Sequence, residues 1–230
     1  MERRGKNYRE KAKSIDSTKE YSLGEAIAIT LKTNPVKFDA TVELHVRLNV
    51  DPRQADQNIR GNVTLPAGTG KTLTIAVFAE GDDVEKAKKA GADIVGVEDV
   101  ENRINKGTLD FDVLISTPML MAKLGKHARV LGPRRLMPNP KSGTVTTNVA
   151  KAVTESKSGK VEYRVDSTGI IHLGVGKVSF KEADIKQNVD TIIASIKASK
   201  PTGIKGNYFK SMYLTSSMGP SIKVILSDLN

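Results

Sequence analysis

The spacing of the apolar residues changes twice along this chain, and that change constrains the fold more than any single motif does. From Thr41 to Val50 the sequence TVELHVRLNV alternates without a break. Thr41, Glu43, His45, Arg47 and Asn49 fall on one face, and Val42, Leu44, Val46, Leu48 and Val50 on the other. Successive strand side chains point to opposite faces, so this predicts a strand with one face solvated, as in antiparallel sheets. The middle of the chain reads differently. LTIAVFAE, DIVG and DVLISTP predict short apolar strands, while DDVEKAKKAGA (stopped by Gly91), VEDVENRIN and MLMAKLGKHARVL predict helices. Such alternation implies βαβ units and a doubly wound parallel sheet. The last part reverts: KVEYRVD and IIHLGVGKV alternate around the turn STG. SFKEADIKQNVDTIIASIKASKP then predicts a helix with a Ser179–Glu182 capping box and a stripe of Ile185, Val189, Ile192, Ile193 and Ile196. A final strand pair is expected over about 209–226. Near the start, SLGE opens a helix with a Ser22–Glu25 capping box, ended by Asn34-Pro35.

A pattern that changes and then returns implies an insertion. The fold class expected is α/β with two domains. The first is a discontinuous α+β domain with a mainly antiparallel sheet, residues 1–67 and 160–230. The second is an inserted doubly wound, Rossmann-like domain, residues 68–159. The crossings fall at LPAG and ESKSG, which carry Gly or Pro and suit a hinge. One continuous domain with a long excursion is the alternative. At 230 residues either is large enough to bury a core.

The formal charge of +10 points to a polyanionic partner, nucleic acid before an anionic membrane. Only 4% of residues are aromatic and none is Trp, which disfavours base stacking as the main source of affinity. No apolar run is long enough to span a membrane, and no apolar segment follows the basic MERRGKNYREKAKS to make it a secretory signal. A cytosolic location is the default. Between Val113 and Thr154 there is no acid, against seven bases: Lys123, Lys126, Arg129, Arg134, Arg135, Lys141 and Lys151. Phosphate contact is the expected role of this stretch. Its densest part, LGPRRLMPNPKSGTV, is pinned by three prolines and two glycines. It could equally be a rigid connector, or both.

Several enzyme signatures fail. GTGKT resembles a phosphate loop, but the required first glycine is Leu65, and the following TLTIAVFAE reads as a strand rather than a helix. The GVGK of HLGVGK lacks the remaining glycine of a dinucleotide fingerprint. There are no cysteines, and His45, His127 and His172 lie in different zones without metal-ligand spacing. Asp82 and Asp83 fit the start of a helix. No catalytic, metal or cofactor site is expected.

The segment LMPNPKSGTVT, residues 136–146, resembles the signature of the bacterial ribosomal protein L-one family, large-subunit proteins of the mobile stalk beside the tRNA exit site. RGKNYREKAK, KFDATVELHVRLNVDPRQADQNIRGNVTLPAGTGK, YRVDSTGIIHLGVGKVSF and NYFKSMYLTSSMGPSIKV extend the resemblance over essentially the whole chain. It implies the two-domain fold above and no enzyme activity. It also implies binding of large-subunit ribosomal RNA, help in releasing deacylated tRNA from the exit site, and repression of the protein's own operon mRNA through its leader. A cytoplasmic, ribosome-bound protein is expected, monomeric off the ribosome, with no membrane partner. The family's main RNA contact falls here on Lys37, Phe38, Thr41, Glu43, Arg164, Asp166, His172, Ser211, Ser217, Met218 and Gly219. Glu43 and Asp166 would accept from ribose 2′-hydroxyls or orient Arg164. The family often has Thr at the place of Ser217, so a hydroxyl is kept. Glu162, Arg164 and Asp166 are expected on one polar face, and Ser211, Thr215 and Ser217 on another. Secondary phosphate contacts are expected at Lys71, at the domain junction, and at Arg134, Arg135 and Lys141.

Overall fold

The computed structural model describes residues 5–16, 18–201, 203–204 and 206–226. Arg4, the first residue of the matching segment RGKNYREKAK, lies outside them. In chain order the elements are α1 (Lys6–Lys13), α2 (Leu23–Lys32), β1 (Thr41–Leu48), β2 (Arg60–Thr64), β3 (Ile75–Phe78), α3 (Asp82–Lys89), β4 (Ile94–Val95), α4 (Val97–Lys106), β5 (Val113–Ser116), α5 (Met121–Gly125), α6 (Ala128–Leu131), α7 (Val149–Lys157), β6 (Lys160–Arg164), β7 (Ile170–Lys177), α8 (Glu182–Ala198), β8 (Phe209–Ser216) and β9 (Ile222–Val224). The chain divides into two compact units, 1–70 with 161–230 and 71–160. The class is mixed α/β.

In the first unit a four-stranded antiparallel sheet runs β7-β1-β8-β9. Every second residue of β1, Val42, Leu44, Val46 and Leu48, is buried. They join Ile171, Leu173 and Val175 of β7 and Met212 and Leu214 of β8 in one core with Ala26 and Ile27 of α2 and all five residues of the α8 stripe. Each fully buried aliphatic contributes about 1.5–3 kcal/mol. The alternation of β1 therefore acts as expected: its apolar face meets the helices and its polar face is left outward. β2 and β6 form a separate two-stranded sheet. The Ser22–Glu25 capping box is present. The Ser179–Glu182 box is not: α8 begins at Glu182, after Lys181. Ser179 gives its N–H and its hydroxyl to Asp39, at 3.1 and 2.9 Å. A carboxylate distant in sequence outcompetes the local cap.

In the second unit three parallel strands run β4-β3-β5. All four residues of β3 are buried, as in a sheet covered on both faces. Ile75 and Val77 face α3 and α7 through Ala87, Val149, Ala152 and Val153. Ala76 and Phe78 face α4, α5 and α6 through Val100, Ile104, Leu124 and Leu131. MLMAKLGKHARVL differs from the single helix expected. It is a 3-10 turn over Pro118–Leu120 followed by the short α5 and α6, parted near Gly125. Beyond GTGK the chain enters β3 and not a helix, so no helix N-terminus faces that loop.

Candidate nucleic-acid interface

The outward face of the four-stranded sheet starts from β1. Thr41, Glu43 and His45 are half-buried there and Arg47 is exposed. Pairing fixes their neighbours. Glu43 lies between Gly174 of β7 and Thr215 of β8, His45 between His172 and Tyr213, and Arg47 between Ile170 and Ser211. A bulge between Val42 and Glu43 sets this register with β7. Opposite Glu43 stands a glycine, and a Cβ on Gly174 would come within 3.2 Å of Thr41 Cγ2. The centre of the face is thus lined by polar groups, with the Thr41 methyl packed over Gly174.

A chain of polar contacts crosses the three strands. Ser217 donates its N–H to the Thr41 carbonyl at 2.9 Å and its hydroxyl to Glu43 Oε1 at 3.0 Å. Glu43 Oε2 lies 3.7 Å from His45 Nε2. His45 Nδ1 and His172 Nδ1 are 2.8 Å apart, their rings edge to face. His172 Nε2 reaches Asp166 Oδ2 at 3.4 Å. Burial alone would raise the Asp166 pKa, but donors from Ile170, Thr168 and His172 outweigh it and bring the carboxyl down to about 2. His45 is pushed below the ordinary imidazole value, first by burial and then by His172, with Glu43 opposing.

Two large apolar side chains stand out at the Thr41 end of this face: Phe38, 58% exposed, and Met218, 74% exposed. Met218 also holds a left-handed backbone with φ 66°, a conformation few non-glycine residues adopt. Gly219 follows it, donating to Ser216 O at 2.7 Å. A Cβ there would lie 2.2 Å from Ser216 Oγ, so the turn has room only for glycine. Lys37 is exposed beside Phe38, and Ser211 is half-buried at the opposite, Arg47 end.

Two expectations about these residues change. Thr215 does share the Glu43 face, but it is only 9% exposed and its hydroxyl turns inward to the Ser216, Gly219 and Pro220 carbonyls. It holds the turn. Arg164 is exposed on β6, in the two-stranded sheet, and neither Glu43 nor Asp166 orients it. Asp166 is instead committed to the turn, accepting from the Thr168 and Ile170 N–H groups at 2.9 and 2.8 Å. Glu162 and Arg164 do stand on the same exposed face of β6, as expected, and Glu162 is paired there with Arg60.

In the second unit the proline-rich loop is held by its own polar atoms. Asn139 Oδ1 accepts from the Lys141 N–H at 2.8 Å, and the Asn139 N–H donates to Thr144 Oγ1 at 2.8 Å. Arg134, Arg135 and Lys141 project exposed from this frame, Arg135 with φ 59°. Lys71 is exposed at the start of this unit. The acid-free stretch is not wholly uncompensated. Lys123 pairs with Glu80 at 2.7 Å and Lys151 with Glu155 at 3.8 Å. Lys126, Arg129, Arg134, Arg135 and Lys141 form no ion pair among the described residues.

The geometry adds His45, Tyr213 and Lys177 to the candidate site. His45 is visible in the alternation, two residues after Glu43. Tyr213 and Lys177 come from strands whose pairing the sequence leaves open. Lys177 Nζ contacts the Asp39 carbonyl and Thr41 Oγ1 at 3.2 and 3.3 Å.

The sequence model of the Ribosomal protein L1p/L10e family matches residues 30–220. The chain is also 49% identical over 228 residues to the large ribosomal subunit protein uL1 of Protochlamydia amoebophila (strain UWE25), covering 99% of this chain and 97% of that protein. The matched span takes in both units and all of the polar sheet face, and on that breadth the chain belongs to the Ribosomal protein L1p/L10e family.

Proposed function

We propose that this chain is a structural, non-enzymatic protein of the large ribosomal subunit, working in the cytoplasm on the ribosome. It binds large-subunit ribosomal RNA at the mobile stalk through the outward face of the first unit's sheet. The observation that carries this is the polar face itself. A row of polar contacts from Ser217 through Glu43, His45 and His172 to Asp166 lies beside two exposed apolar side chains, Phe38 and Met218. Such a face matches single-stranded or irregular RNA, which offers 2′-hydroxyls, base edges and sugar surfaces. The family supports the same reading.

Arg164 in the same unit, and Lys71, Arg134, Arg135 and Lys141 in the second unit, add phosphate contacts of their own. On the same surfaces the protein assists release of deacylated tRNA from the exit site and represses translation of its own operon mRNA, whose leader imitates the ribosomal site. It is monomeric off the ribosome.

A gel shift tests the main claim. The full chain is titrated against a large-subunit stalk RNA fragment and a scrambled RNA of equal length at high salt. Retained preference for the stalk fragment is expected, and equal affinity overturns it. A reporter fused to the operon leader tests repression: translation in vitro should fall on adding the protein, and unchanged output removes that part.

A further inference from the structure

We propose that Glu43 and His45 form a paired-acceptor subsite that reads an exocyclic amino group of an RNA base. The proposal rests on the RNA-binding reading above and assigns a role to His45 that does not follow from charge.

Proton placement decides which atoms accept. Asp166 accepts from the N–H groups of Thr168 and Ile170 and from the Thr168 hydroxyl, so it faces His172 as a carboxylate acceptor. The 3.4 Å contact then needs the proton on His172 Nε2. With both rings neutral, His172 Nδ1 carries a lone pair. The 2.8 Å contact between the two Nδ1 atoms therefore requires His45 to be the donor. That leaves His45 Nε2 as an acceptor. The opposite arrangement would turn a lone pair of His172 against the Asp166 carboxylate. In return it would gain only the 3.7 Å contact of His45 with Glu43, beyond hydrogen-bond reach.

Glu43 is oriented in the same way. Its Oε1 is occupied by Ser217, which leaves Oε2 facing His45 Nε2. Two acceptors thus lie side by side with no proton between them, on side chains 26% and 38% exposed. A phosphate is repelled by this pair. A ribose hydroxyl brings one proton and leaves one acceptor unmatched. A base amino group brings two. Opposite Glu43, Gly174 carries no side chain of its own, and the Thr41 methyl lies over it.

A solvent proton competes for the same place. The charged and titratable groups around His45 are Glu43 and Arg47 on β1, His172 with Asp166 behind it on the β7 side, and Tyr213 on β8. An imidazolium at His45 would donate Nε2–H toward Glu43 and fill the subsite from within. Acidification then weakens RNA binding here, whereas simple charge attraction predicts strengthening.

The test is interference mapping on the stalk RNA fragment with the full-length protein. Pools carry sparse analogues of guanosine, adenosine or cytidine lacking the exocyclic amino group, and a further pool carries 2′-deoxy substitutions. The expected result is a position where removing the amino group weakens binding to wild type by about five- to a hundredfold. That interference should vanish with His45→Leu and persist with His45→Gln, which keeps an acceptor. Wild-type affinity should fall as the pH is taken below the ordinary imidazole value, since burial and His172 hold His45 below it, and His45→Leu affinity should not. Thermal melts of both variants certify folding. The proposal is overturned if no amino interference disappears in His45→Leu, if only a 2′-deoxy interference does, or if wild-type affinity rises on acidification. Wild type failing to prefer the stalk RNA at all removes the RNA-binding reading itself.

Discussion

Ser217 acts through Glu43. Its hydroxyl proton is already donated within the protein, so Ser217→Ala releases Glu43 Oε1 and lets the carboxylate turn away from His45. The expected fall in stalk-RNA affinity is about five- to a hundredfold, from roughly 1–3 kcal/mol for a mispaired polar group. The salt slope should be unchanged, because TSSMGPS carries no charge and releases no counterions. Affinities of the purified variant at several salt concentrations check this, and wild-type binding would sink it. Asp166 gives a pH prediction. Its folded pKa of about 2 lies below the unfolded carboxylate value, so its stabilisation is present above about pH 4 and is lost as pH falls toward 2. Asp166→Ala should therefore be less stable than wild type at pH 7, with the gap closing by pH 2 in urea titrations. Asn188 is buried completely, accepting from the Ala67 N–H and donating to the Gly68 and Val175 carbonyls. Asn188→Ala orphans the buried Val175 carbonyl at about 1–3 kcal/mol, and calorimetry should show a Tm lower by at least about 3 °C.

At the scale of elements, periodicity is a surer guide than capping, for a physical reason. A stripe such as Ile185, Val189, Ile192, Ile193 and Ile196 states which face must be buried whatever covers it, and all five are in the core. The Ser22–Glu25 box forms from its two local partners. The equivalent box at Ser179 does not form because Asp39, 140 residues away, takes that serine. The proline-rich loop makes its own prediction. Asn139 and Thr144 brace it, and Arg134, Arg135 and Lys141 stand exposed on it. Replacing these three charges together should lower RNA affinity modestly and reduce the salt slope by up to about one unit for each phosphate no longer neutralised. An unchanged slope would make the loop a connector only.

For the whole molecule, each unit encloses its own apolar cores. A chain joining 1–67 directly to 160–230 should fold cooperatively and bind the stalk RNA nearly as well as the full protein. A folded product with only non-specific affinity would move the main site elsewhere. The sequence by itself determined most of the elements, the solvated strand face of β1, the +10 charge and the motifs that carry the family, because period, charge and local turn chemistry are written in neighbouring residues. It also placed Glu43 and His45 on one face. Only the tertiary structure decided that β1 sits between β7 and β8. It thereby brought His172 to His45 across 127 positions and Ser217 to Glu43 across 174, while leaving Arg164 on another sheet. Those contacts depend on strand order and on one bulge between Val42 and Glu43. A shift of a single residue would turn every one of these side chains to the opposite face. Alternation fixes which face a residue takes, but burial of the whole apolar surface selects the partner strand and register.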